Sequence, residues 1–169
     1  MNVYRRELRA GVRSVVLWCL GILLFIAASM QKYSALGLDP SAFNIMEQLP
    51  TALQAMFGVG ELDFTTVAGF YGMIFPYLAL MAAVHAAMLG AVILSKEERD
   101  RIAEFLYVRP AARRAILSAK LAAALTQAAL LNLATWAASV GMAAAFGADM
   151  GAVVARLMAG LFLLQLVFL

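Results

Sequence analysis

An all-α bundle that crosses a membrane several times is the architecture this sequence predicts, and three observations predict it. Of its 169 residues 64% are hydrophobic and 14% charged, with a mean hydropathy of +0.88, whereas a soluble domain is about half apolar with about a quarter of its residues charged. The apolar residues fall into four runs of about the length that crosses a hydrocarbon core. The charges collect between those runs, and the bases concentrate on alternate connections, which is the pattern of orientation in a bilayer.

Residues 1–13 carry Arg5, Arg6, Arg9 and Arg13 with Glu7, interleaved with Val3, Tyr4, Leu8 and Val12. This spacing suits a basic helix lying in the headgroup layer against anionic lipid; a solvated basic tail that only sets topology is the other reading. Residues 14–30 form an uncharged run, the expected first span, read as an uncleaved anchor rather than a signal peptide because further spans follow. Residues 31–66 hold Asp39, Glu47, Glu61 and Asp63 against Lys32 and are expected on the outer face, with a short amphipathic piece over Thr51 to Phe57. Their irregular spacing matches no calcium loop.

The second span is expected over residues 67–94. It contains Pro76, which frees a backbone carbonyl, and His85, the single histidine. An ionisable residue at that depth is a functional candidate, but nothing one turn away completes a metal or catalytic pair, so a histidine hydrogen-bonded inside the bundle is expected. Residues 95–114 form a charged island. The third span is expected over 115–146, with Lys120 snorkelling to the interface and Asn132, Thr135 and Ser139 sharing one helical face. Such a face serves helix adhesion first, at roughly 0.5–2 kcal/mol per hydrogen bond, and a solute pathway second. After the turn Gly147-Ala148-Asp149, residues 150–169 start a fourth apolar segment that stops without a basic flank, the ending expected of a shortened chain.

Bases are dense before the first span and in the island with its flank, while the two connections rich in acid are nearly free of them. The N-terminus and the island are therefore expected in the cytoplasm. Several chemistries find no residues here. No phosphate-binding G-x-x-x-x-G-K-[ST] occurs, one histidine and one cysteine build no usual zinc site, and the drawn spans hold no paired carboxylates. No catalytic, metal or cofactor-binding residue is expected, and the clustering of bases beside spans argues for membrane lipid rather than nucleic acid as their partner.

The island itself reads as a short helix from Lys96 to Val108 with Ile102, Phe105 and Leu106 on one side, steadied by i, i+4 pairs Lys96–Asp100 and Glu97–Arg101. Pro110 breaks it at Arg109. Its balanced charge favours a protein partner. The run Glu97-Glu98-Arg99-Asp100-Arg101-Ile102-Ala103-Glu104-Phe105-Leu106, then Arg109-Pro110-Ala111-Ala112-Arg113, then Ile116 and Lys120, resembles the first cytoplasmic loop of ABC-2 type transporter permeases. Leu49-Pro50, Phe57-Gly58 and Pro76 match the surroundings of that loop. Ile102 stands where the family usually has Thr and Ala112 where it often has Ser, and the family usually has six spans against about four here.

The resemblance implies the membrane subunit of an ATP-driven exporter in a bacterial or archaeal plasma membrane. Hydrolysis would reside in a separate ABC ATPase subunit, and a second permease subunit, identical or different, would complete the assembly. Under it the island is a coupling helix in which Glu97, Glu98, Asp100, Glu104, Phe105, Leu106, Arg109, Pro110 and Arg113 meet the ATPase. A membrane scaffold or anchor that recruits some other cytoplasmic partner is the rival reading, and an enzyme built on His85 and the polar face of the third span is a third.

Overall fold

The structure, a computed structural model, describes residues 3–36, 48, 50–57, 62–99 and 113–169. Five helices account for nearly all of them: α1 (Val3–Leu36), α2 (Thr51–Phe57), α3 (Val67–Arg99), α4 (Arg113–Ala145) and α5 (Gly151–Phe168). All but α2 are long and apolar enough to cross a membrane. The chain is an all-α polytopic bundle, and the physical reason is the solvent it is built for: hydrocarbon offers no partner for a backbone N–H or C=O, so each crossing satisfies its own.

The helices run further than the expected segments. No break separates residues 1–13 from 14–30; α1 is one helix of 34 residues, about 51 Å at 1.5 Å per residue. The separate interfacial helix is instead the first turns of that long helix. Gly11 is the only weak helix former near the junction and a single glycine is tolerated. At the other junction α3 passes through Pro76 and continues unbroken into Lys96–Arg99, so the start of the island extends the second long helix.

Two ends of the bundle are defined by contacts. At one end Tyr33 near the end of α1 donates to Thr65 O at 2.6 Å, and its ring lies 5.2 Å from Phe70 and 6.0 Å from Phe146. At the opposite end Tyr4 meets Thr126, and Lys120 donates to Ile93 O at 2.8 Å. The first turns of α1, the last turns of α3 and the first half of α4 therefore lie together, and the arginines of residues 5–13 share an end with the helical entries to the island. Between the ends, Ile22, Ile26 and Met30 of α1 pack with Tyr71, Ile74 and Leu78 of α3, Leu131 of α4, and Val154, Met158 and Leu161 of α5. The opposite faces, such as Val16, Leu20, Leu23 and Leu24 on α1, are exposed leucines and valines suited to lipid.

The connections have definite chemistry. Asp63 Oδ1 accepts from the Thr65 backbone N–H and hydroxyl at 3.0 and 2.6 Å, and these bonds hold its carboxyl below the usual range. Thr66 caps α3 by accepting from the Gly69 N–H at 3.1 Å. The end of α4 is a Schellman motif: Ala148 N–H reaches Ala143 O at 3.1 Å, Gly147 N–H reaches Ala144 O at 3.0 Å, and Gly147 takes φ of +70°.

Gly147 has open space around the position of a Cβ, so substitution there reads out backbone conformation alone. Gly147→Ala is expected to cost about 1–2 kcal/mol and Gly147→Asn clearly less, measured by reversible unfolding in mixed micelles. Equal stability of all three proteins would show that the left-handed turn is not needed.

Candidate functional site

Two groups of polar side chains occupy separate places inside the bundle, and α4 contributes to both; Gln165 of α5 is fully buried as well, with both amide atoms unbonded. The buried stripe of α4 carries Gln127, Asn132, Thr135 and Ser139 beside the fully buried Ala123, Ala124 and Ala128. The alanines leave room for neighbouring helices, and the polar groups then lie within reach of them. Asn132 donates from Nδ2 to Met158 O on α5 at 3.1 Å. Thr135 donates to Leu131 O at 2.8 Å, and Ser139 to Thr135 O at 2.7 Å, each back to its own helix. Ser139 Oγ is also 2.7 Å from the Tyr71 hydroxyl of α3. A serine has one hydroxyl proton, already given to Thr135 O, so Tyr71 donates. Asn132 and Ser139 thus tie α4 to α5 and to α3, and Thr135 turns inward on its own helix.

The second place is a cavity of about 240 Å³ at the end that holds the basic turns, between α1, α3 and α4. Glu7, Ala10, Gly11 and Ser14 line it from α1, His85, Met88, Leu89, Val92 and Ile93 from α3, and Gln127 from α4. Glu7 is 5% exposed, His85 1% and Gln127 3%. Arg6 holds Glu7 Oε1 at 3.0 Å from the flank. A Cβ on Gly11 would collide with the Gln127 amide, so glycine at that position is what lets α1 and α4 approach. Trp18 packs its ring edgewise on His85 at 5.6 Å.

His85 and Lys120 differ from expectation. Both nitrogens of His85 lack a hydrogen-bond partner, in place of the hydrogen-bonded core histidine expected. The ring lines the cavity with Glu7 and Gln127 and meets Trp18 edge-on. Lys120 is 4% exposed and bonded to Ile93 O near the end of α3 instead of snorkelling outward. Glu7 and Gln127 are not among the site residues expected from sequence, which marks Gln127 only as a polar residue a turn or more before the Asn132 face. Glu7 is the single acid within a basic stretch, and that oddity was the available signal.

Of the island, Glu97 and Glu98 are on the last turn of α3 and Arg113 opens α4. Asp100, Glu104, Phe105, Leu106, Arg109 and Pro110 lie outside the described residues. Among the described residues no group of three or more His, Cys, Asp and Glu could hold a metal ion.

Four apolar helices with their polar groups tied inward define a multi-pass membrane protein. A family model described as ABC-2 family transporter protein matches residues 1–169, and the chain belongs to that family. It is a permease subunit of an ABC transporter, the membrane component and not itself the catalytic one. No curated protein and no solved structure gives a match.

The contact between Tyr71 and Ser139 can be isolated by a double-mutant cycle. Tyr71→Phe is expected to lose about 0.5–2 kcal/mol of stability in mixed micelles, and Tyr71→Phe with Ser139→Ala should cost less than the sum of the two single changes. Strict additivity would mean that the hydroxyls do not interact.

Proposed function

We propose that this permease is the membrane half of an ATP-driven exporter, seated in the plasma membrane with its N-terminus and island in the cytoplasm. Two permease subunits pair with two ATPase subunits, and the island is the element that the ATPase grips. The observation that carries this reading is geometric. The last turn of α3 and the first of α4, which flank the island, sit at the same end of the bundle as Arg5, Arg6, Arg9 and Arg13, and positive charge marks the cytoplasmic side.

The mechanism follows from helix continuity. A push on the island reaches α3 directly, because residues 96–99 continue that helix without a joint, and it reaches α4 from Arg113. Packed helices answer such a push by shifting as rigid bodies rather than by deforming. Lys120 bonded to Ile93 O couples the two levers close to the force, and Tyr71 with Ser139 couples them again toward the far end. Phe105 and Leu106 are the apolar anchors of the ATPase contact, and Glu97, Glu98, Asp100, Glu104, Arg109 and Arg113 orient it, with Pro110 setting the corner between them. Asn132, Thr135 and Ser139 hold the bundle together while it moves.

A tagged full chain purified from its native membrane is expected to bring down an ATPase carrying a phosphate-binding loop. Replacing Glu104 and Phe105 together by alanine should remove that ATPase, by about tenfold or more for a buried aromatic anchor, while membrane insertion is unchanged. Undiminished recovery of the ATPase would exclude the island as the contact, and a different soluble partner would favour the scaffold reading.

A further inference from the structure

We infer that the cavity at the basic end of the bundle is a binding site for an ammonium group carried on an apolar body. This goes beyond coupling to ATP and needs only the cavity. Four polar side chains line it, the exposed Ser14 and, from three helices, Glu7, His85 and Gln127, and each of the last three is more than nine-tenths buried. Both ring nitrogens of His85 and the amide oxygen of Gln127 are without a hydrogen-bond partner. Buried polar groups in native proteins are nearly always satisfied, by protein, by water or by something bound.

The chemistry of the lining selects the missing partner. A neutral imidazole offers one donor and one acceptor, and an amide oxygen only accepts. Among the unpartnered atoms of the lining acceptors therefore exceed donors, and the group that balances them brings N–H donors. The Glu7 carboxylate stands at the wall with its Arg6 partner outside the lining, and a carboxylate there favours a cationic group. Arg6 engages Glu7 Oε1 from outside the lining, which holds the carboxylate in place. The volume of about 240 Å³ is several times the roughly 30 Å³ of one water, so the site has room for more than a bridging solvent molecule.

The remainder of the lining is apolar. Met88, Leu89 and Val92 face the cavity, and Met88 and Val92 are also exposed on the surface of α3. The opening is thus bordered by side chains that suit an alkyl or aryl body. Two sources supply this chemistry, a free amphiphilic amine and the amine headgroup of a membrane lipid.

Trp18 against the His85 ring provides a reporter. The chain has two tryptophans, so Trp136→Phe leaves Trp18 alone. This protein, full length in phosphatidylcholine nanodiscs, is titrated with hexylamine, and with hexanol as a neutral partner of the same length and similar partitioning into lipid. Hexylamine is expected to change Trp18 emission saturably, with an apparent affinity about tenfold above that of hexanol, the margin of one hydrogen bond to a charged group. Glu7→Gln and Gln127→Met should each remove most of that margin. A shift of the hexylamine curve to higher concentration when phosphatidylethanolamine replaces phosphatidylcholine would identify the lipid headgroup as a competing occupant, and an unchanged curve would identify the free amine. Equal or unsaturable responses to hexylamine and hexanol would overturn the site. That comparison uses neither cavity variant, so their misfolding would not rescue it.

Discussion

Hydrocarbon neither hydrates a charge nor pairs a backbone amide, and this constraint arranges the rest of the molecule. Backbone groups are satisfied within helices, and most charges are pushed to helix ends. The four long helices then alternate in direction, so the basic turns of α1, the end of α3 and the beginning of α4 are brought together. The polar groups that remain inside must find partners on neighbouring helices. Asn132 and Ser139 do so on α5 and α3. At the cavity walls His85 and Gln127 lack partners, and there the proposal puts a ligand; Gln165 of α5, fully buried away from the cavity lining, lacks them as well.

Much of this was legible from the order of residues. Four apolar runs predicted the all-α membrane bundle, and a three- and four-residue spacing placed Asn132, Thr135 and Ser139 on one face. The positions where reading by sequence fell short are those decided by a distant segment. The approach of Gln127 to α1 depends on Gly11 having no Cβ, and no local pattern records that approach. Lys120 was expected to reach outward, and only the position of Ile93 O explains why it turns in. Helix boundaries also moved, since nothing between Ser14 and the preceding arginines stops a helix once it has started.

The cavity and the helical entries to the proposed coupling island lie at one end of the bundle, and α3 serves both. His85, Met88, Leu89 and Val92 line the cavity on the same helix whose last turn enters the island. A displacement of α3 driven from the island would therefore alter the cavity walls, while α1 and α4 frame its other sides. In this account binding and coupling share a helix, which is the simplest mechanical link a permease subunit of this size offers.

That link works only if the shared end of the bundle faces the cytoplasm. With the single cysteine removed by Cys19→Ala, cysteines are introduced one at a time as Asn2→Cys, Lys32→Cys, Ser95→Cys and Asp149→Cys, and intact cells are treated with a membrane-impermeant thiol reagent. The account predicts labelling of Lys32→Cys and Asp149→Cys in intact cells, and of Asn2→Cys and Ser95→Cys only after permeabilisation. Labelling of Asn2→Cys and Ser95→Cys from outside would place the basic end and the island on the wrong side of the membrane for any ATPase to reach.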